Sequence, residues 1–231
     1  MRFIALASCA VLAACGGSNP DGANDIDTNP NPPTNGTSGG TITGIEADTS
    51  ITALASRIIE FDAATENLAV TDADPTGSAE YIGFASIASG SFDDEDEEDF
   101  SYIAVGTFTA NIDFATDDLS AEANGFYELN IQEVNAFEDA NEGNDDDVEV
   151  DLTDFSPTAI NGGLTLSDDG ETITGSLTAV NGETSAYNIA IEEIDFFGEN
   201  GAFVDVFGAG TSSATGRDDL DVEFGALGER Q

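Results

Sequence analysis

The side chains able to carry chemistry in this 231-residue chain are almost all acidic. Aspartate and glutamate together number 47, against four basic residues, two cysteines and no histidine. Every basic residue is an arginine, so neither a Ser-His-Asp triad nor a Ser-Lys dyad can form. A zinc site of the Cys/His type is excluded in the same way. Paired carboxylates, as in glycoside hydrolysis, remain formally possible, but no spacing marks out a pair, and we predict that the protein is not an enzyme.

Cys15 is the residue whose surroundings indicate a specific reaction. A positive start at Met1-Arg2 precedes an apolar run from Phe3 to Val11, and Leu12-Ala13-Ala14 then leads directly into Cys15. Residues 1–14 are typical of a secretory signal peptide and are too short to span a bilayer. An ordinary secretory signal with an incidental cysteine would share these features, and that alternative stays open.

Residues 12–15 resemble the lipobox of bacterial lipoproteins. The resemblance implies that the Cys15 thiol is alkylated with diacylglycerol, that the signal is removed, and that the new amino group is acylated, for example with palmitate. Each buried methylene contributes about 0.8 kcal/mol, so two or more chains anchor a protein durably. In that family, an aspartate directly after the cysteine commonly retains the protein at the inner membrane. Gly16 stands at this position here, so the resemblance implies the outer membrane. We therefore expect a membrane partner at Cys15 and a location on the cell surface.

The formal net charge of −43 limits the possible partners. Beyond Cys15 the cations are Arg57, Arg217 and Arg230, which cannot form the basic surface that nucleic acids or bare anionic lipids require. Self-repulsion favours a soluble monomer. Charged partners should therefore be cations or basic proteins. The absence of lysine indicates that the whole chain has an acidic composition, as suits a salty habitat. It does not point to a single acidic binding site.

The organisation predicted from composition is a tether followed by one β domain. Residues 15–43 contain little besides Gly, Ser, Asn, Asp, Thr and Pro, and are expected to stay disordered. Residues 44–231 alternate short apolar runs with turn dipeptides. The turn dipeptides are Asn124-Gly125, Asn161-Gly162, Asp169-Gly170, Asn181-Gly182 and Asn200-Gly201.

Period-two alternation predicts strands throughout this domain. A hairpin is predicted around Asp169-Gly170, and a short helical turn within residues 47–58. The other predicted strands cover residues 57–61, 67–71, 79–87, 102–114, 119–123, 127–134, 148–152, 186–191, 202–207 and 220–224. Many short strands with turns between them indicate an all-β barrel or sandwich. Glycines such as Gly106 and Gly208 inside the strand pattern favour a bent, closed sheet.

Two acidic runs lie in connections between predicted strands. The first is the unbroken stretch Asp93–Asp99, and the second surrounds residues 145–154. Carboxylates are the hard oxygen ligands that Ca²⁺ requires. Neither run has the spacing of a known calcium loop, and such runs more commonly form repelling, solvated loops. The candidate metal ligands are Asp93, Asp94, Asp96, Asp145, Asp146 and Asp147.

Several segments together resemble one family of lipoproteins. They are Ser78–Ala85 with its Tyr-x-Gly, Gly106–Phe114, Thr172–Ser176, Phe196–Ala202 and Phe224–Arg230. In this order they are similar to the β-barrel domain of transferrin-binding protein B and its relatives, surface lipoproteins of Gram-negative bacteria. The resemblance implies an eight-stranded antiparallel barrel beside a small handle-like sheet, and a binder of other molecules. It carries over no binding residue and does not imply transferrin.

Two functions follow as hypotheses. The first is a non-enzymatic outer-membrane lipoprotein that binds an extracellular protein or a solute through the loops of its barrel. The second is an adhesive or structural surface lipoprotein whose acidic runs bind Ca²⁺. No other cofactor is expected.

Overall fold

The computed structural model describes nine strands and two helical segments, the second of which covers residues 131–134 and 136. The strand predicted at residues 127–134 was therefore wrong over its last four residues, which are helical. The described residues are 50–65, 68, 75–92, 98–116, 118–134, 136, 152–167, 170–216 and 218–231. Helix α1 covers Ile51–Thr65. The strands are β1 Ser78–Phe92, β2 Glu98–Asp113, β3 Asp118–Glu128, β4 Thr158–Ala159, β5 Asn161–Leu166, β6 Thr172–Thr178, β7 Thr184–Phe197, β8 Phe203–Ala214 and β9 Leu220–Arg230. A short 3₁₀ turn covers Leu152–Phe155.

Eight of the strands close into an antiparallel barrel. Their pairing follows the order β1-β2-β3-β5-β6-β7-β8-β9, and β9 pairs with β1 to complete the ring. The predicted eight-stranded antiparallel barrel is confirmed. Outside the ring, β4 pairs with the last two residues of β3. The nine described strands form one sheet, and β4 is the one described strand outside the ring, in place of the small separate sheet that was expected beside the barrel.

The barrel has two ends with different connections. We call the end where β1 begins and β9 finishes the lower end; the turns β2–β3, β5–β6 and β7–β8 lie there. At the opposite, upper end lie the connections β1–β2, β3–β4, β6–β7 and β8–β9. This alternation follows directly from an up-and-down order of antiparallel strands.

The middle and lower parts of the barrel interior are filled by side chains. Inward-facing residues form one apolar cluster in which rings such as Phe108 and Phe224 alternate with Ala85 and Ala226. The enclosed space left among Phe108, Ile112 and their neighbours measures about 10 Å³. That volume is at the lower limit for one water molecule. In the part of the chain that the structure describes, this region of the barrel is therefore a packed core without room for a ligand.

Helix α1 covers the outer face of the barrel. Leu54, Ile58 and Phe61 recur at helical spacing and pack in a second apolar cluster with Phe84 and Val105. Ser50 caps the helix, because its Oγ accepts a hydrogen bond from the Ala53 N–H at 3.3 Å. The predicted strand at residues 57–61 was wrong, since these residues belong to α1. The helical turn predicted within residues 47–58 is part of a longer helix.

Arg57 fastens α1 to the barrel. Its side chain is only 2% exposed, and its Nη1 donates a hydrogen bond to the Gly83 carbonyl at 2.8 Å. Burial lowers the pKa of Arg57, and the nearby Glu60 carboxylate raises it to a smaller extent. The helix therefore sits in one fixed position on the strands beneath it.

Three of the predicted turns are confirmed and two were wrong. Gly170, Gly182 and Gly201 lie in hairpin turns at the ends of β5, β6 and β7, with positive φ angles of 73°, 86° and 64°. Asn124-Gly125 instead lies within β3, where the β2–β3 register shifts and φ of Gly125 is 63°. A bulge uses the positive φ there without ending the strand.

Asn161-Gly162 likewise begins β5 and forms no hairpin turn. Of the strand predicted at residues 148–152, Leu152 lies in the 3₁₀ turn and the rest lies outside the described residues. The strand predicted at 67–71 lies outside the described residues except for Leu68, which is not in a strand.

Arg230 connects three segments at the lower end of the barrel through hydrogen bonds. Its guanidinium donates to the carbonyls of Asn200, Thr76 and Ser78, at 2.5, 3.2 and 3.2 Å. It also lies 5.8 Å from the centre of the Phe114 ring. The end of β9, the start of β1 and the β7–β8 turn therefore share one cation.

Within the described ranges, no helix has both the length and the apolar character needed to cross a bilayer.

Candidate functional site

Several inward-facing residues at the upper end of the barrel are polar. The pairing register sets this: Ser89 lies opposite both Tyr102 and Val222, and Tyr187 lies opposite Ser212. Val222 belongs to the interior cluster, so its partner Ser89 faces inward as well. We call this group the polar mouth. It consists of Ser89, Tyr102, Glu128, Ser185, Tyr187 and Ser212.

One hydroxyl group of the polar mouth has no hydrogen-bond partner among the described residues. It is the Ser89 Oγ, and this atom is buried. The Ser89 side chain as a whole is 1% exposed, as deep as the apolar residues beside it. Leaving a buried hydroxyl without a partner costs on the order of 1–3 kcal/mol. A buried hydroxyl of this kind can accept a hydrogen bond from another molecule, which makes the upper end of the barrel a candidate site.

Glu128 places a carboxylate at the polar mouth. Its register partner on β2 is Ala104, an interior residue, so Glu128 also faces inward at the end of β3. Its Oε2 accepts a hydrogen bond from the Val180 N–H in the β6–β7 turn at 2.7 Å. This bond reaches from one wall of the mouth to another and holds the carboxylate at the rim.

Tyr102 remains a neutral phenol in this setting. Burial is the main cause that raises its pKa far above the ordinary value, and the neighbouring Tyr187 and Glu128 raise it further. The phenol therefore keeps its proton at physiological pH and offers one donor and one acceptor.

Both acidic runs leave the barrel at the same end as the polar mouth. Residues 93–97 connect β1 to β2, and residues 129–157 connect β3 to β4. The candidate ligands Asp93, Asp94, Asp96, Asp145, Asp146 and Asp147 lie outside the described residues, as does Cys15. In the ranges that are described, no group of three or more His, Cys, Asp or Glu residues could hold a metal ion.

A cleft of about 470 Å³ lies at the lower end of the barrel. Glu80, Asp113 and Asp118 line it. The Asp113 carboxylate already accepts from the Ala115 N–H at 2.9 Å, and that of Asp118 accepts from the Thr116 hydroxyl at 2.8 Å. Two of the three carboxylates therefore stabilise the β2–β3 turn, which makes this cleft the lesser candidate.

The polar mouth was not predicted from the sequence. Its only sequence signal is that residues such as Ser89 and Ser212 occupy positions that period-two alternation assigns to the core. Tyr102 and Tyr187 come together there, whereas Tyr81 lies at the lower end and donates to the Gly201 carbonyl at 2.8 Å. Tyr127 packs outside the barrel with the cluster beneath α1.

Comparison of the chain with protein-family models and with curated proteins gives no match.

Proposed function

We propose that this protein is a non-enzymatic, lipid-anchored protein of the outer membrane that binds a protein or a solute through the upper end of its barrel. One observation carries the proposal: the polar mouth and both acidic connections lie at the same end. Binding residues are commonly carried on connections that a rigid scaffold positions. The eight-stranded ring is such a scaffold.

The packing of the barrel directs binding to its end. The space enclosed within the core is about 10 Å³, too small for a solute. A ligand must therefore contact the mouth and the connections around it. This geometry suits a macromolecular surface, or a small group held at the rim, better than a molecule enclosed inside the barrel.

Charge defines the class of partner. The net charge of −43 repels anions over the whole surface, and two of the longest acidic runs belong to the upper-end connections. A field of one sign steers oppositely charged partners and raises association rates, most strongly at low salt. The partner is accordingly a basic protein or a cationic solute.

The tether leaves this end free to act. Leu54 in α1 packs with Leu152 and Phe155, and the Phe155 carbonyl accepts from the Asn130 N–H just after β3. Helix α1 thus begins near the upper end of the barrel. A flexible linker with the composition of residues 16–43 has an end-to-end distance of roughly 30 Å. That length allows a barrel anchored at Cys15 to turn either end away from the bilayer.

Matched charge removal at the two ends tests the proposal. In one variant of the full chain, Asp93, Asp94 and Asp96 become asparagine; in the control, Glu80→Gln, Asp113→Asn and Asp118→Asn remove the same charge at the lower end. We expect the affinity for a panel of basic proteins at fixed ionic strength to fall about tenfold in the first variant and less than about twofold in the control. Equal losses in both would show that net charge alone attracts the partners, and would overturn the proposal.

A further inference from the structure

We propose that the polar mouth receives a primary ammonium or guanidinium group, with Glu128 as its counter-ion and Ser89 and Tyr102 as further acceptors. This inference rests on the proposed function for the choice of the upper end, and it adds the chemistry of the group that enters. It starts from the buried Ser89 hydroxyl, which has no partner among the described residues.

The charge at the mouth selects a cation. Glu128 is the one charged residue among the six that define the polar mouth, and its Oε2 is fixed by the Val180 N–H at 2.7 Å. The other five residues are neutral hydroxyls. Neither Arg57 nor Arg230 compensates Glu128, because Arg57 donates to Gly83 beneath α1 and Arg230 donates to carbonyls at the lower end. An incoming positive charge therefore gains the attraction of a carboxylate that the mouth holds in place.

The hydroxyls select a cation that carries N–H donors. An ammonium group has three donors and a guanidinium group five, and both lack acceptors. The Ser89 and Tyr102 oxygens can accept two of these hydrogens, and Glu128 can accept another through a charge-assisted bond. The same contact gives the buried Ser89 hydroxyl the partner it otherwise lacks.

A metal ion fits the mouth less well. Calcium takes six to eight oxygen ligands, chiefly carboxylates and carbonyls. The polar mouth offers one carboxylate, and its phenol is held neutral because burial and the neighbouring Tyr187 and Glu128 raise the pKa of Tyr102. An anion is excluded by Glu128 itself.

The ammonium or guanidinium group can belong to a lysine or arginine side chain of a basic protein, or to a free small amine. The strongly acidic protein attracts each positive charge of a partner, so a chain of several cations should bind more tightly than one. A side chain that enters the mouth would then anchor a basic partner at the centre of its contact.

Titration of the full chain with n-butylammonium, n-butylguanidinium and a lysine-rich peptide tests the inference, with tetramethylammonium at equal ionic strength as the control. The chain has no tryptophan, so its fluorescence comes from four tyrosines. Two of these, Tyr102 and Tyr187, lie at the polar mouth. We expect saturable changes with the three N–H donors, and a response to tetramethylammonium at least about tenfold weaker. Tighter binding of the peptide than of n-butylammonium indicates a protein partner, and the reverse indicates a free amine; both support the ammonium site.

Variants at the mouth locate the site. Glu128→Gln keeps an oxygen that can accept from Val180 and should weaken n-butylammonium binding about tenfold or more. Ser89→Ala and Tyr102→Phe should each weaken it by about threefold to tenfold. Glu122→Gln, on the exposed outer face of the same strand, should change it less than about twofold. Thermal melting curves of all four variants check that the barrel remains folded.

Two results would overturn the inference. One is equal binding of tetramethylammonium and n-butylammonium; the other is equal loss in Glu128→Gln and Glu122→Gln. If amines fail to bind while neutralisation of the β1–β2 connection still weakens basic proteins, the ammonium site fails and the proposed function stands. If amines fail to bind and neutralisation of the β1–β2 connection does not weaken the binding of basic proteins, the proposed function fails as well.

Discussion

Asp205 on β8 lies directly opposite Asp195 on β7. Both strands are within the ring, and the neighbours of Asp205 along the chain, Val204 and Val206, face the interior. The two carboxylates therefore share the outer face of the barrel. Burial raises the pKa of Asp205 to about 6, with Asp195 and Glu193 contributing and the backbone N–H of Val206 opposing. Two like charges opposite each other in a sheet are destabilising.

Removing the Asp205 charge should stabilise the protein at neutral pH. The folded pKa lies above the unfolded value of 3.8, so the folded state binds the proton more tightly. The destabilisation is fully present above pH 6 and disappears as pH falls from 6 to 3.8. Asp205→Asn should therefore raise the free energy of unfolding by about 1–3 kcal/mol at pH 7.5, with a smaller gain at pH 4.5.

Urea denaturation at the two pH values measures this gain. Asp221→Asn, an exposed carboxylate on β9, controls for the loss of one negative charge from an acidic protein. A gain of equal size in both variants, or one that does not depend on pH, would contradict the assignment to the Asp195–Asp205 pair.

Arg230 should contribute more to stability than its position next to the C-terminal residue suggests. Arg230→Met keeps the length of the stem and removes the three hydrogen bonds to Asn200, Thr76 and Ser78. We expect a loss of about 2–4 kcal/mol in the free energy of unfolding. Gln231→Ala, where the side chain bonds only to the nearby Glu229 carbonyl, should cost less than about 0.5 kcal/mol. Similar losses in both variants would show that the three Arg230 hydrogen bonds do not contribute to the free energy of unfolding.

The barrel itself follows from signals that are local in the sequence. The hairpin around Asp169-Gly170 and the turns at Asn181-Gly182 and Asn200-Gly201 could be predicted because the dipeptide supplies the positive φ that the turn needs. Asn124-Gly125 carries the same signal but lies in a bulge, since tertiary pairing of β3 with β2 decides whether the strand ends. Residues 57–61 were predicted as a strand, yet they belong to a helix in which Leu54, Ile58 and Phe61 are buried at helical spacing.

The polar mouth could not be predicted because it depends on register between strands far apart in the chain. Ser89 and Tyr102 face each other across β1 and β2, and Tyr187 comes from the opposite wall about 85 residues later. No local pattern joins them. The acidic runs were visible in the sequence, but only the up-and-down order of strands places their two connections at one end.

Glycines on the barrel wall should tolerate no side chain where strands approach closely. A Cβ at Gly210 would lie 2.1 Å from the Asn188 carbonyl oxygen and 2.7 Å from the Ile189 Cα. Gly210→Ala must therefore shift backbone and should cost about 3 kcal/mol or more. Gly182→Ala, at φ +86° with nothing within 4 Å, should cost about 1–2 kcal/mol from the backbone conformation alone. A lower melting temperature for Gly210→Ala than for Gly182→Ala would support this close strand packing, and the reverse order would contradict it.

Lipidation at Cys15 should decide whether the protein is found with membranes. Cys15→Ala should move it from the membrane fraction to the soluble fraction, because the acyl chains supply the anchoring energy. Cys9→Ala, within the predicted signal, should leave it in the membrane fraction. Immunoblots of fractionated cells measure this, and membrane retention of Cys15→Ala would rule out the lipid anchor.

Site-specific labelling on intact cells tests the central claim, which is that a ligand binds at the upper end of a surface-anchored barrel. Residues 50–231 contain no cysteine, so Val180→Cys in the β6–β7 turn and Glu199→Cys in the β7–β8 turn each introduce a single reactive site in this domain. Val180 is 57% exposed, and its backbone N–H already contacts Glu128.

A membrane-impermeant maleimide should label both positions on intact cells. Saturating lysine-rich peptide should then slow labelling at position 180 several-fold and leave position 199 unchanged. Labelling only after the outer membrane is permeabilised, or equal protection at both ends of the barrel, would contradict the account.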